Sequence, residues 1–272
     1  MPAKNPKKET SLATQHPVTH KYLALQSAPE HVAEIIQSNL QGETLTPFDL
    51  DRVKVPTGGG TSFEVPTLEG SEPSKTLSGI VVHFTNPRSY WEKGLDEGGE
   101  GGPPDCFSPD STTGVGRFQG QACATCPMNE FGSGRGGRGK ACKEKRMLFM
   151  LQPDSYIPLV IQIPTMSIAP LRQYMMRLAS RGIPYWSVVT EVSLESAQQS
   201  GGGLKYSKAI PRVMEQLNEA ETARVKSLAD SLRPFLSQVR AAPDVEDFGM
   251  PSEPEYLNDD YEPDEQEEPI AF

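Results

Sequence analysis

The sequence predicts an α+β fold, mainly β. Three observations carry that expectation. Four apolar, β-favouring runs, 77–84, 146–151, 157–163 and 185–192, are bounded by polar, Gly or Pro residues. Between the third and fourth lies one segment, 167–181, whose Leu171, Tyr174, Met175 and Leu178 recur at helical spacing. All four cysteines fall within 106–142, in the pattern C-x16-C-x2-C-x15-C.

In chain order, residues 1–28 are polar without a sustained period, and a flexible N-terminal arm is expected there. Val32, Ile35, Ile36 and Leu40 define one face of a helix over 29–40, stopped by Gly42. Residues 45–55 read as partly extended and Gly58–Gly60 as a turn. A short strand over 61–65 is followed by a loop over 66–75. The strand at 77–84 leads into Tyr90-Trp91, an acidic glycine loop and then the cysteine segment. Strands 146–151 and 157–163 flank a Pro153-Asp154 turn. Ser167 is the expected N-cap of the helix and Gly182 its C-terminal stop. After the strand at 185–192, Gly201–Gly203 makes a hinge and 205–210 a last short strand. Asn218 and Glu221 have capping-box spacing and open a C-terminal helix, which Pro234 should end or bend.

One helix between the third and fourth of five strands is compatible with an OB-fold, in an order that several other α+β folds share. The expected architecture is therefore an OB-fold-like barrel with a four-cysteine, zinc-ribbon-like module inserted at 105–146. The nucleic-acid-binding domain spans 29–240, the C-terminal helix included. A disordered acidic tail follows at 241–272.

The chemistry is concentrated in the insert. Cys123 and Cys126 form a C-x2-C knuckle, with Pro127 as a rigid corner, and Cys106 and Cys142 lie at similar distances on either side. A tetrahedral zinc takes four such thiolates. The segment is dominated by Gly, Ser, Pro and Arg and cannot bury enough apolar area to hold itself, so a metal would supply folding energy. An iron–sulfur cluster uses the same ligands and stays open as an alternative. No apolar run is long enough for a membrane helix, and no secretory signal follows the basic N-terminus. A cytoplasmic location in a bacterial or phage-infected cell is expected, where clustered cysteines are metal ligands before they are disulfides.

Four thiolates leave no open position for catalysis, and the histidines (16, 20, 31, 83) are scattered. Residues 134–140 fit G-x4-G-K but have Ala141 where a phosphate loop needs Ser or Thr. An enzyme is not expected. From 115 to 146 seven bases, Arg117, Arg135, Arg138, Lys140, Lys143, Lys145 and Arg146, face only Glu130 and Glu144. A flexible basic loop suits a phosphate backbone. Stacking rings for single strands are sought among Tyr90, Trp91, Phe118, Phe131 and Trp186, with Phe107 also in the insert.

The net charge of −10 is not uniform. Twelve acids and no base follow Arg240, which leaves residues 1–240 with 24 acids against 26 bases. The chain ends Glu265-Gln-Glu-Glu-Pro-Ile-Ala-Phe272. This tip resembles that of bacterial-type single-stranded DNA-binding proteins, which end in acids followed by Ile-Pro-Phe. It departs from them in Ala271 and Pro269. The resemblance implies that Ile270 and Phe272 dock into replication and recombination proteins. An acidic tail can also serve solubility alone. The layout is similar, too, to phage helix-destabilising proteins of the T4 type, whose ligand set includes a His, so no residue carries over.

The function expected is sequence-tolerant binding of single-stranded DNA in replication, recombination and repair, with a tail that recruits partners. The rival is a zinc-ribbon transcription or replication accessory factor that binds duplex DNA or protein.

Overall fold

The computed structural model describes residues 21–26, 29–56, 58–93, 104–137, 139–198 and 205–239. The acidic tail, the 201–203 hinge, Arg138 and most of the N-terminal arm lie outside them.

The body is a curled, six-stranded half-barrel sheet. Its strands are β1 (Arg52–Lys54), β4 (Thr76–Thr85), β9 (Arg146–Leu151), β10 (Leu159–Ile163), β11 (Val188–Gln198) and β12 (Lys205–Gln216), in the spatial order β1-β10-β9-β4-β11-β12. All neighbours are antiparallel except β1, which runs parallel to β10. Helix α2 (Ile168–Ala179) falls between β10 and β11, and α3 (Glu219–Leu236) follows β12. Helix α1 (Pro29–Asn39) precedes the sheet. A hairpin of β2 (Phe63–Thr67) and β3 (Gly70–Ser74) continues the short strand expected over 61–65 into the stretch 66–75 expected to be a loop. Its second strand, Gly-Ser-Glu-Pro-Ser, carries no apolar period, so only pairing reveals it.

Both sheet faces are covered. On one, Leu148, Met150, Ile161 and Val192 pack with Phe63 against Leu171, Tyr174 and Leu178 of α2. On the other, Ile80, Phe149, Leu151 and Val160 pack against Val225, Ala229 and Leu236 of α3. This double burial explains why Met147–Leu151 of β9 and, apart from Gln162, β10 read as apolar runs rather than alternations. Each such side chain contributes up to about 1.5–3 kcal/mol. Tyr22 is buried in the second layer and the Leu23 amide donates to the Pro153 carbonyl, so this part of the expected flexible arm is docked on the body. The face expected of α1 is not buried: Ile35 is 42% exposed, and Val32, Ile36 and Leu40 are half-buried.

Several local expectations change in detail. The Ser167 hydroxyl does not cap α2; it accepts the Ala209 amide at the outer edge of β12. Pro211, two residues on, occupies the same kind of outward position and has no amide to leave unpaired. β12 thus continues to Gln216, six residues beyond its expected end at 210, and β11 reaches Gln198. Tyr185 and Trp186 are not on the strand; they form a 3-10 turn ahead of it, Tyr185 against the first layer and Trp186 against the second. The Asn218/Glu221 capping box forms as expected, and α3 ends two residues after Pro234.

Candidate functional site

The cysteine segment fills the connection between β4 and β9, strands that are neighbours in the sheet. Its frame is a second small sheet of β5 (Arg88–Tyr90), β6 (Cys106–Ser108), β7 (Val115–Gly116) and β8 (Lys143–Glu144), in the order β7-β6-β5-β8. Cys106 lies on β6 opposite Tyr90. Cys123 opens a 3-10 turn, and Cys126 links it to the next turn, which Pro127 begins. Cys142 stands just before β8, with its amide donating to the Met128 carbonyl at 2.7 Å. The Cys123 amide donates to the Thr112 carbonyl at 2.8 Å.

All four thiols are free and buried, and all four line one hollow together with Arg88 and Asn129. Gly114 makes room for them: a Cβ there would stand 3.0 Å from the Cys106 sulfur and 2.6 Å from the Phe118 carbonyl oxygen. Burial raises the Cys142 thiol to about 12, with Arg88 pulling it down and the other three cysteines pushing it up. Burial also raises Cys106, which feels Cys123 and Cys126 in turn. The donor set, four thiols sharing one hollow, matches a tetrathiolate site in its chemistry. Their spacing is looser than ligation requires: among the described residues no three His, Cys, Asp or Glu side chains are gathered so that they could hold an ion.

Arg88 ties this module together. Its guanidinium donates to Ser111 Oγ (3.0 Å), Asn129 Oδ1 (2.6 Å) and Glu144 Oε2 (2.8 Å). Asn129 Nδ2 donates onward to the Cys123 carbonyl at 2.8 Å, and Lys140 Nζ to Asn129 Oδ1 at 3.0 Å. Ser111 sits at φ +62°, a conformation few non-glycine residues adopt, while its hydroxyl donates to the Asn86 carbonyl at 2.5 Å.

Between Cys126 and Cys142 the chain forms a glycine-rich finger. The Gly132 amide donates to the Gly139 carbonyl, and the Ser133 hydroxyl joins the Met128 carbonyl to the Ala141 amide. Phe131 stands on it, 85% exposed. The G-x4-G-K run lies in this finger, ahead of β8, rather than between a strand and a helix.

The expected nucleic-acid contacts are dispersed by this arrangement. Trp91 and Phe107 are each 9% exposed, and Phe107 lines the hollow of the four thiols. Lys145 is buried, at 3% exposure. Arg146 is paired with Glu144, and Arg117 with Glu92. Tyr90 is half-buried against Phe118, their ring centroids 5.7 Å apart. Trp186 is half-buried and meets Tyr185 edge to face. Lys143 is half-buried on β8. The side chain of Arg135 and all of Arg138 lie outside the described structure. Phe131 is therefore the most exposed ring of the expected set.

Sequence reasoning missed Arg88 and Asn129. Neither belongs to a spaced motif; the one signal was a lone arginine at the root of the insert. No family model matches this chain, nor does any curated protein or solved structure.

Proposed function

We propose that this chain is a sequence-tolerant single-stranded DNA-binding protein built on an OB-type barrel. Strand order supports the barrel reading. Numbering β4, β9, β10, β11 and β12 from one to five gives the spatial order 3-2-1-4-5, with α2 between the third and fourth. That is OB connectivity, with one variation: β1 takes the free edge of β10 in parallel, where a closed barrel would use its last strand. The insert then occupies the connection between strands one and two, one of the two loops through which OB-folds hold oligonucleotides.

The observation that carries the proposal is Phe131, an exposed ring on a glycine-rich, arginine-containing finger. A base stacks on such a ring whatever its identity. The outer sheet face is covered by α3, so contact runs through the insert rather than across that face. Cys106, Cys123, Cys126 and Cys142 would hold zinc, or alternatively an iron–sulfur cluster. The group would lock the finger's roots and perform no reaction. Its capture would displace the thiol protons of its ligands. The acidic tip, through Ile270 and Phe272, recruits replication and recombination proteins.

The test is competition binding with a labelled oligo-dT. Unlabelled single strand should displace it far better than duplex, and affinity should fall steeply with salt. Phe131→Ala should weaken binding about 5- to 150-fold, the equivalent of losing about 1–3 kcal/mol of stacking. Preferential displacement by duplex would favour the zinc-ribbon accessory factor. Unchanged affinity of Phe131→Ala would remove the finger from the interface.

A further inference from the structure

We propose that Arg88 and Asn129 form a latch that sets the approach of the four thiols, and so act as positioning residues for metal capture. The inference rests on the tetrathiolate reading above and adds two residues outside the ligand set. The geometry carries it. The three acceptors of Arg88 lie on three different cysteine-bearing segments: Ser111 on the connection after Cys106, Asn129 three residues after Cys126, and Glu144 two residues after Cys142. Arg88 itself is two residues from Tyr90, the strand partner of Cys106. Asn129 then holds the carbonyl of Cys123. Each cysteine is thus within a few residues of a group this network grips.

Two further observations set this network apart from an ordinary surface pair. Ser111 keeps a left-handed backbone conformation with its hydroxyl engaged on both sides, by Arg88 and by the Asn86 carbonyl. The Arg88 side chain is 12% exposed, so its three donors have few alternatives in solvent. A planar fork with five fixed donors can bridge three segments at once; a lysine ammonium on a flexible stem does so poorly. The four thiols border one hollow, but among the described residues no three of them are gathered as an ion's ligands would be, so ligation needs the segments that Arg88 links to close together.

The experiment titrates the full chain with Co2+, reading thiolate-to-cobalt charge-transfer and d–d bands, followed by competition with Zn2+ and a chelator. Wild type, Cys123→Ser, Arg88→Met, Arg88→Lys and Asn129→Ala are compared. The latch predicts that Arg88→Met loses about 10- to 100-fold in metal affinity, as outer-shell changes at metal sites do. Its d–d bands should weaken per bound ion through distorted geometry. Arg88→Lys should recover at most part of the loss, and Asn129→Ala should lose about tenfold by the same route. Wild-type affinity in Arg88→Met, or full recovery in Arg88→Lys, overturns the latch and leaves the tetrathiolate reading intact. Cobalt bands absent from wild type, or undiminished in Cys123→Ser, overturn the tetrathiolate reading and the latch with it. Should Arg88→Met fail to fold, Asn129→Ala decides: wild-type affinity and bands there overturn the latch.

Discussion

Gly79 lies on β4 opposite Thr190 of β11 and one residue before Ile80, which pairs with Leu151 of β9. A Cβ at this position would meet the Leu151 carbonyl oxygen and stand 2.5 Å from Met150 Cγ. The backbone atom has no room to yield, so Gly79→Ala should destabilise the fold by about 1–3 kcal/mol. A urea midpoint unchanged from wild type would show that the two strands can separate at no cost. Ser167 teaches a complementary point about single residues. Its position before a helical period marks a cap in the sequence, yet its hydroxyl serves an amide 42 residues away on β12. A serine's local pattern says that it will find a partner, not which one. The same holds for Trp91 and Lys145. As residue types they suit a DNA surface, yet both side chains are buried in the fold.

Elements were legible where burial imposes a period. β9 and β10, covered on both faces, stand out as apolar runs, and α2 and α3 by their spacing and by the Asn218 cap. β3 and the far half of β12 were not legible. The first has no apolar face, and the second contains Pro211, which is tolerated only because its outward position needs no amide. The seat of α3 on the sheet depends partly on His83. Its ring stacks on Phe149 with centroids 5.6 Å apart and lies 3.3 Å, through Nε2, from the hydroxyl of Ser237, just past the helix. Burial first, and the Arg233 charge second, hold this imidazole below the ordinary histidine value of 6.5. The unfolded chain therefore binds the proton more readily than the folded one. This contact's contribution is complete above about pH 6.5 and is lost as the pH falls from there through the depressed folded value. Melting temperatures between pH 8 and pH 5 should fall more steeply for wild type than for His83→Gln. Parallel slopes would show that His83 has no part in the seat of α3.

At the scale of the whole chain, charge is divided rather than mixed. Residues 1–240 hold two more bases than acids, and the twelve acids after Arg240 stand alone. If DNA and tail contend for one basic surface, a chain ending at Arg240 should bind oligo-dT more tightly than the full chain at low salt. The difference should close as salt screens both contacts. Equal affinities across the salt series would leave the tail with recruitment or solubility alone.

The cysteine module has a topological consequence beyond its ligands. The roughly sixty residues between Thr85 and Arg146 leave and re-enter the sheet at adjacent strands. Chain-closure entropy grows only with the logarithm of loop length, so this long detour costs the body about 2–3 kcal/mol more than a four-residue turn would. Most of that cost is already met at half the length. The half-barrel sheet is thus nearly indifferent to how much chain it loops out at this point. The insert is free to lengthen, shorten or change its fingertip while the strands that carry it keep their register.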